Sequence, residues 1–323
     1  MYSIEQIKTL HLEPTTLCNA ACPQCARYLD NGDENPLLPQ ATLSLNDIKE
    51  LLPPSFLKQL HKIFMCGTYG EPTVAKDCLE IFKYAREINP DIVIGMNTNG
   101  STRNKSWWMD LAHLFNSIYD YVVFSIDGLE DTNHIYRRNT QWRKIMENAE
   151  AYIKAGGSAH WDMLVFEHNE HQVEQARQLA RDMGFTWFRV KVSQRYLYRN
   201  VQWIRGPKNS ELKQVKDEPV FDCYAQRDKE LYMSAHGLLM PCCYIAEQIY
   251  GAHLPERRES TIKCLGDLDQ YHARHGIENV INKFQRVTDT WTSAKPLQIC
   301  MDFCSGMHQP RWKAQWRTDE QLR

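Results

Sequence analysis

Short apolar runs alternate with amphipathic stretches along residues 1–200, and this pattern limits the possible folds more than any other feature of the chain. The apolar runs have the length and composition of β-strands and lie at residues 7–13, 62–67, 91–99, 121–127, 160–166 and 186–193. Between them are stretches with the apolar spacing of helices, at residues 45–52, 75–88, 104–115, 141–156 and 171–184. This alternation predicts an α/β fold on a parallel sheet that is either open or curled into a barrel.

Polar residues stand at the ends of two of these strands. Asn97 and Asn99 close the third strand, and Ser125 and Asp127 close the fourth. Residues two apart in a strand point to the same face, so each pair presents its side chains together. Parallel α/β folds build their sites at the carboxyl ends of the strands. We therefore expect both pairs to border a functional site.

Two cations lie on the last predicted strand. Arg189 and Lys191 are two residues apart and share a face. On the inner face of a barrel they would orient a substrate or take up a proton, and on the outer face they would be solvated. The sequence leaves both orientations open.

The alternation stops after residue 193, and the composition of the chain changes. Residues 194–220 are polar and mixed, as in a connector, whereas the segment from residue 221 onward has a hairpin-like stretch at 230–244 and scattered cysteines. We predict a first domain at residues 1–200, a connector at 201–220 and a small C-terminal domain at 221–323.

Charge and hydropathy exclude some classes of protein. The formal net charge is −2 and the isoelectric point is near 6.6, so no global field attracts nucleic acid or anionic lipid. No apolar run approaches the roughly 20 residues of a membrane span, and no signal peptide opens the chain, so we expect a cytoplasmic protein. The tail at 309–323 mixes Arg and Lys with Trp312 and Trp316, and we favour an amphipathic closing helix over nucleic-acid binding.

The chain has 11 cysteines, which is unexpected in a cytoplasmic protein and favours metal binding over disulfides. Cys18, Cys22 and Cys25 follow the first predicted strand with C-x3-C-x2-C spacing. This set suits a 4Fe–4S cluster with one iron left open for a ligand, since such clusters usually take four cysteines. A structural zinc remains an alternative, with His11 as its fourth ligand.

The three-cysteine loop resembles the signature of the radical S-adenosylmethionine (radical SAM) enzymes, whose fold is a partial (β/α)6 barrel of the TIM type. The stretch GTYGEPT at 67–73 is similar to the family's Gly-Gly-Glu motif, although a β-turn alone would also explain it. MNTNG, FSIDG and HIYRR follow in the order that the family requires. The resemblance implies that the open iron binds S-adenosylmethionine and that reductive cleavage yields a 5′-deoxyadenosyl radical.

The resemblance also implies roles for individual residues. Cys18, Cys22 and Cys25 would hold the catalytic cluster. Arg137, with Arg138 as its near alternative, would bind the methionine carboxylate together with Ser125. The complete set of cofactor-binding candidates is Gly70, Glu71, Asn97, Asn99, Ser125 and Arg137. The candidates for catalytic work on the substrate are Asp127, Arg189 and Lys191. Gln24 is a departure, since many members carry an aromatic residue before the last cysteine.

The C-terminal cysteines resemble the auxiliary iron–sulfur domains called SPASM in the long form and Twitch in the short form. The resemblance favours a small β-hairpin plus helix domain of the short form, with one auxiliary 4Fe–4S cluster. Its four ligands would be Cys223, Cys242, Cys300 and Cys304. Cys243 and Cys264 compete for these roles, but we expect Cys242 and Cys243 to point to opposite faces of a strand. A zinc ribbon is the alternative.

Taken together, the motifs predict a radical SAM enzyme that abstracts a hydrogen atom from a small molecule. An auxiliary cluster favours a net oxidation, either a dehydrogenation or the formation of a bond, and a flavodoxin- or ferredoxin-type protein would supply the electron. Redox-neutral epimerisation or rearrangement stays open. A peptide-modifying maturase is the alternative enzyme, and a non-catalytic iron–sulfur or zinc protein is the alternative from another class. The substrate is not identified by any motif.

Overall fold

The computed structural model describes residues 1–193, 195, 199–209, 222–293, 296–304 and 312–317, and of Val192 and residues 312–317 it describes the backbone alone. The chain divides into two compact units. The first contains Met1–Leu17, Asn35–Val93 and Lys216–Gln309. The second contains Cys18–Glu34, Ile94–Val215 and Pro310–Arg323. The predicted domain boundaries at 200 and 220 remain predictions.

The strands and helices follow the alternation seen in the sequence. The strands are β1 (Thr9–Leu12), β2 (Lys62–Met65), β3 (Val93–Thr98), β4 (Tyr121–Ser125), β5 (Ala159–Val165), β6 (Trp187–Val192), β7 (Glu230–Met233), β8 (Leu239–Met240) and β9 (Trp312–Arg317). Helices of the barrel region are α1 (Leu45–Leu51), α2 (Pro54–Gln59), α3 (Cys78–Ile88), α4 (Lys105–Leu114), α5 (Asn133–Tyr136), α6 (Trp142–Lys154) and α7 (Val173–Met183). Those nearer the C-terminus are α8 (Tyr224–Arg227), α9 (Cys243–Ile249), α10 (Pro255–Leu265), α11 (Ile277–Asn282), α12 (Gln285–Thr288) and α13 (Gln298–Cys304).

Local sequence signals set several helix boundaries. Ser44 begins α1 because its side chain accepts a hydrogen bond from the backbone N–H of Asp47, and Asn104 begins α4 by the same means. Gly184 ends α7 in the left-handed conformation, with φ of 86°. All six predicted strands and all five predicted helices are therefore present, each within a few residues of its predicted bounds.

In the first unit, β1 lies between β2 and β7 and runs parallel to both, while β7 pairs antiparallel with β8. In the second unit, β4 lies parallel to β3 and β5, and β5 lies parallel to β6. The apolar residues that alternate along β4, β5 and β6 are completely buried; they are Val122, Phe124, Trp161, Met163, Phe188 and Val190. The opposite face carries polar side chains, among them Ser125, Asp162, Arg189 and Lys191, together with the apolar Val123 and Leu164.

The tail was predicted as an amphipathic helix, and this prediction is wrong for residues 312–317. They form β9, which pairs antiparallel with β6. The sequence WKAQWR alternates bulky or apolar residues with polar ones, which is the period of a strand. Pairing also satisfies the backbone groups that β6 would otherwise leave open at that edge.

No helix in the described part of the chain combines the length and the apolar character that a bilayer crossing requires.

The loop after β2 is folded tightly on a buried carboxylate. Glu13 is fully buried and accepts hydrogen bonds from the backbone N–H groups of Tyr69 and Gly70, at 2.6 and 2.9 Å, and from the hydroxyl of Tyr232. A Cβ atom on Gly70 would lie 1.7 Å from the carbonyl oxygen of Thr15. The GTYGEPT motif therefore needs glycine at this position for a steric reason, independent of any role in binding.

We predict that Gly70→Ala destabilises the protein severely, by about 4 kcal/mol or more, because backbone atoms must move to admit the methyl group. Gly251→Ala is the matched control, since its Cβ would lie 3.3 Å from the carbonyl oxygen of Glu247, and we expect a cost of about 1 kcal/mol or less. Urea denaturation followed by circular dichroism measures both changes. Equal stability of the two variants would contradict this account of the loop.

Candidate functional site

The three-cysteine loop lies in the second unit, and its thiols share one apolar environment. Cys22 is buried, and Cys18 and Cys25 are half-buried and packed against the same cluster of side chains. The other members of this cluster are Ala20, Ile135, Tyr136, Leu164, Phe166, Val201 and Ile204. All three cysteines are free thiols. In the described part of the chain, no group of three His, Cys, Asp or Glu side chains is arranged to hold a single metal ion.

Nitrogen donors lie next to two of the three sulfurs. The backbone N–H of Ala20 is 3.3 Å from Cys18 Sγ, and Asn99 Nδ2 is 3.9 Å from the same sulfur. Arg137 Nη1 is 3.9 Å from Cys22 Sγ. Burial raises the pKa of Cys22, and the positive charge of Arg137 opposes that rise. A thiolate ligand set needs such donors and a nearby cation, so these residues fit an iron–sulfur cluster.

Gln24 gives a second indication that the loop is built around a bound group. Its side chain is 1% exposed, and neither amide Oε1 nor Nε2 has a hydrogen-bond partner among the described residues. A buried amide without partners is unfavourable and is uncommon in folded proteins. The position therefore fits a ligand that supplies the missing donor and acceptor.

Asp127 and Arg137 form a buried ion pair beside the loop. Arg137 Nε donates to Asp127 Oδ2 at 2.5 Å, and the backbone N–H of Leu164 donates to Asp127 Oδ1 at 2.6 Å. Burial raises the pKa of Asp127 against the opposing effect of Arg137. Burial also acts to lower the pKa of Arg137, but the electrostatic effects of Asp127, Cys22 and Tyr136 and the hydrogen bond to Asp127 together outweigh it and raise that pKa. Arg138, the alternative anion ligand, has an exposed side chain. The pairing fixes the orientation of Arg137 and engages the carboxylate that was a catalytic candidate.

The polar strand ends differ in how firmly they are held. Asn99 is buried, donates to Asn19 Oδ1 at 2.9 Å and accepts from both the backbone N–H and the hydroxyl of Ser101 at 2.9 Å. Asn97 and Ser125 are half-buried, at the ends of β3 and β4. Asn99 is thus a fixed part of the cysteine loop's surroundings, whereas Asn97 and Ser125 keep part of their surface open.

Arg189 and Lys191 are bound to one buried carboxylate. Arg189 Nε and Lys191 Nζ each lie 2.6 Å from an oxygen of Asp162, whose side chain is 4% exposed. Asp162 pairs with Ser125 on one side and with Arg189 on the other, so these side chains share a face of the sheet. The two cations therefore lie on the face that carries Ser125, and Asp162 is the partner that the sequence analysis missed.

Arg199 is a further residue that the sequence analysis missed. Its side chain is 1% exposed, its Nε donates to Asp30 Oδ1 at 2.5 Å, and its Nη2 donates to the carbonyl of Tyr28 at 2.7 Å. Its Nη1 donates to the carbonyls of Cys25, at 3.2 Å, and Gln24, at 3.4 Å. One buried guanidinium thus closes the end of the cysteine loop. The surrounding sequence is polar, so it gave no sign of this role.

Glu71 lies in the first unit and is buried by its own loop. Its Oε1 accepts from the backbone N–H of Thr73 at 3.2 Å and from the Thr73 hydroxyl at 2.7 Å. Its backbone N–H donates to the carbonyl of Leu17 at 2.8 Å. These hydrogen bonds hold the Glu71 carboxylate in one orientation within the GTYGEPT loop.

Four C-terminal cysteines meet at one small cavity in the first unit. Cys223, Cys242, Cys300 and Cys304 line it, and the rest of its wall is mostly apolar, including Pro241, Tyr244, Ile245, Trp291 and Phe303. A hydrogen bond with Cys304 lowers the pKa of Cys223 to about 7, and the same bond raises the pKa of Cys304. The four cysteines chosen from the sequence are therefore brought together, and they fit a cluster with four thiolate ligands.

Cys243 and Cys264 do not line this cavity. Cys242 and Cys243 diverge, as expected, but the expected reason is wrong. The hairpin ends at Met240, and Cys242 precedes a helix, α9, that starts at Cys243. The turn into the helix, rather than the alternation of a strand, separates the two thiols.

Cys243 instead belongs to a buried polar group around His11. Its Sγ lies 3.6 Å from the hydroxyl of Tyr224. His11 Nε2 is 2.7 Å from the carbonyl of Cys66, and His11 Nδ1 is 3.5 Å from Glu230. Burial acts to lower the pKa of His11, but hydrogen bonds to Cys243, Cys66 and Glu230 outweigh it and raise the pKa well above its usual value. Both ring nitrogens of the proposed zinc ligand are therefore engaged.

Comparisons with known proteins agree with these observations. The profile of the Radical SAM superfamily matches residues 12–180, which is more than half of the chain. SuiB of Streptococcus suis is similar in structure, with a TM-score of 0.56 and 14% identity over 74% of this chain and 61% of SuiB. SuiB bound to its precursor peptide SuiA matches 91% of this chain and 76% of SuiB, with a TM-score of 0.57 and 13% identity. The S-adenosylmethionine-bound anSMEcpe matches 86% of this chain and 79% of its own, with a TM-score of 0.56 and 15% identity.

These matches confirm the α/β fold class that the strand and helix pattern predicted and the partial (β/α)6 barrel that the family resemblance implied. Because their identities to this chain are below 25%, the solved structures support the fold alone. The chain spans 61% of the length of SuiB in the first of these matches.

We predict that Arg199→Met weakens the cysteine loop, so that iron bound by the reconstituted protein is lost to a chelator about tenfold faster or more. Arg199→Lys keeps the charge but cannot bond to several carbonyls at once, and it should be intermediate. Arg143→Met is the matched control, since Arg143 is 81% exposed and pairs with Glu130. Equal iron loss in Arg199→Met and Arg143→Met would show that Arg199 does not hold the loop.

Proposed function

The chain belongs to the radical SAM superfamily, and we propose that Cys18, Cys22 and Cys25 hold its catalytic 4Fe–4S cluster. The observation that carries this proposal is the common apolar environment of the three free thiols, with N–H donors beside two of them. When bound, the cluster and S-adenosylmethionine supply a 5′-deoxyadenosyl radical that removes a hydrogen atom from the substrate.

We propose that residues at the ends of the strands bind and orient the cofactor. Arg137, fixed by Asp127, presents a guanidinium suited to the methionine carboxylate, with the hydroxyl of Ser125 as a second donor. Glu71 offers a carboxylate to the methionine ammonium. Gly70 lets the loop that carries Glu71 pack closely against the backbone of Thr15. Asn97 would offer its amide to the ribose, whereas Asn99, whose amide is bonded to Asn19 and Ser101, would support the cysteine loop. Asp127 then acts through Arg137, as a positioning residue.

On the face of the sheet that carries Ser125, Asp162 holds Arg189 and Lys191 in place. We assign the substrate to this face because its cations are 22% and 28% exposed at the side chain while their carboxylate partner is buried. Arg189 would orient a polar group of the substrate. Lys191 Nζ, which its ion pair with Asp162 keeps in place, would hold or pass a proton.

The auxiliary site supports a net oxidation. Four free thiols around one cavity suit a second 4Fe–4S cluster, which would accept an electron from a substrate radical. Loss of a hydrogen atom followed by loss of an electron and a proton amounts to a two-electron oxidation, as in dehydrogenation or bond formation. The electron that starts the reaction would come from a flavodoxin- or ferredoxin-type protein.

A small molecule is the substrate class that we propose, and a peptide is the second candidate. The peptide is favoured by two of the similar structures, SuiB bound to the precursor peptide SuiA and anSMEcpe bound to the Cp18Cys peptide. Turnover of either class in the same assay, with the cofactor cleaved to 5′-deoxyadenosine in proportion, distinguishes the two candidates.

We predict that the protein, reconstituted with iron and sulfide under anaerobic conditions and reduced with dithionite, converts S-adenosylmethionine to 5′-deoxyadenosine and methionine. Cys18→Ala should abolish this conversion because it removes one of three cluster ligands. Cys66→Ala, at a free cysteine outside both sets, should keep the wild-type rate. Absence of 5′-deoxyadenosine from a wild-type protein that carries its iron would refute the proposed function.

We also predict about eight iron and eight sulfide ions per chain in the wild type and about four of each in Cys300→Ala, which keeps the cleavage of S-adenosylmethionine but forms no oxidised product. Cys264→Ala is the matched control and should keep both clusters, because Cys264 lies outside the cavity. A wild type with about four irons, or a Cys300→Ala variant with an unchanged iron content, would exclude the auxiliary cluster.

A further inference from the structure

Tyr136 is the last residue of α5, in the second unit, and has a fully buried side chain. Its ring packs on Phe166, with the ring centroids 4.5 Å apart. Its hydroxyl is buried and has no hydrogen-bond partner among the described residues. The ring position is thus explained by packing, but the hydroxyl is not, since phenylalanine would fill the same space.

The apolar cluster around Tyr136 contains one kind of side-chain acceptor. Tyr136 belongs to the apolar cluster that holds the three thiols of the cysteine loop. The other side chains of that cluster are Ala, Ile, Leu, Phe and Val, which have no acceptor atoms. A water molecule needs two or more polar partners, and an apolar cluster does not provide them. Sulfur is therefore the acceptor that this environment offers.

The electrostatic influences on the Tyr136 hydroxyl also place it near Cys22. Burial raises the pKa of Tyr136 to about 12, with Arg195 and Arg137 acting to lower it and Cys22 and Asp127 acting to raise it. Cys22 is thus within electrostatic reach of the hydroxyl.

We propose that the Tyr136 hydroxyl donates a hydrogen bond to a sulfur of the catalytic cluster, on the side held by Cys22. This inference rests on the assignment of Cys22 as a cluster ligand. Hydrogen bonds to the sulfurs of an iron–sulfur cluster withdraw electron density and stabilise the reduced, more negative form. Tyr136 therefore makes the catalytic cluster easier to reduce, which sets how readily the enzyme begins its reaction.

The test compares Tyr136→Phe with Tyr152→Phe in reconstituted protein without S-adenosylmethionine. Tyr152 is a matched control because it is also fully buried with a hydroxyl that has no partner among the described residues, but it packs among Trp108, Phe115 and Phe124. The reduced cluster is measured by electron paramagnetic resonance at a series of fixed potentials. Both variants are made in a Cys300→Ala background, so that the auxiliary cluster does not contribute.

At a fixed potential, we expect Tyr136→Phe to lower the ratio of reduced to oxidised cluster by about threefold, the effect of one lost hydrogen bond. Tyr152→Phe should leave the ratio unchanged. An unchanged ratio in Tyr136→Phe, with the iron content of the Cys300→Ala parent, would overturn the inference and leave the proposed function intact. A wild-type protein that binds no iron at the cysteine loop would instead overturn the proposed function.

A second measurement gives a decisive result on the wild-type protein alone. In D2O, pulsed electron paramagnetic resonance of the reduced wild-type cluster should show coupling to exchangeable deuterons, and Tyr136→Phe should reduce it. A reduced wild-type cluster without any deuteron coupling would overturn the inference by itself.

Discussion

The organisation of the second unit depends on a single buried carboxylate, that of Asp127. Its side chain binds Arg137 and the backbone N–H of Leu164, while its backbone N–H donates to Asn133 and its carbonyl accepts from Asn169. It thereby ties the end of β4 to α5 and to β5. Removing a partner from a buried charge costs far more than the pair contributes, so this arrangement admits little change. Arg137, in turn, brings a fixed positive charge to within 3.9 Å of Cys22 Sγ.

The sequence predicted the elements of the fold well because their signals are local. Periodicity located six strands and five helices. Spacing picked out the cysteines of the first loop, and the family resemblance picked out the four that line the C-terminal cavity. The tail was different: its charges suggested a helix, but pairing with the edge of β6 selects a strand, and no local pattern encodes which edge is open. The separation of Cys242 from Cys243 likewise came from a helix start that the hairpin pattern hid.

The candidate site was predictable where chemistry needs a rare residue type and was not where it needs an ordinary one. Cysteines and a Gly-Glu loop are conspicuous, whereas Arg199, Asp162 and Tyr136 act through distant contacts. Arg199 is far from the cysteine loop in sequence but donates hydrogen bonds to the carbonyls of Cys25 and Tyr28. Asp162 resembles many other carboxylates in the sequence, and only the pairing of its strand with β6 brings Arg189 and Lys191 to it. The structure thus adds the residues that contact the candidate site residues from distant parts of the chain. Their positions depend on tertiary packing, which no local pattern encodes.

The most direct test of the central claim is the electron paramagnetic resonance spectrum of the reduced, reconstituted protein, recorded with and without S-adenosylmethionine. In the proposed site, Cys18, Cys22 and Cys25 would leave one iron open for the cofactor, so binding would change the environment of that iron. We predict a 4Fe–4S signal whose shape changes when S-adenosylmethionine is added to the wild type. A signal of bound, reduced cluster that is identical with and without S-adenosylmethionine would contradict the account.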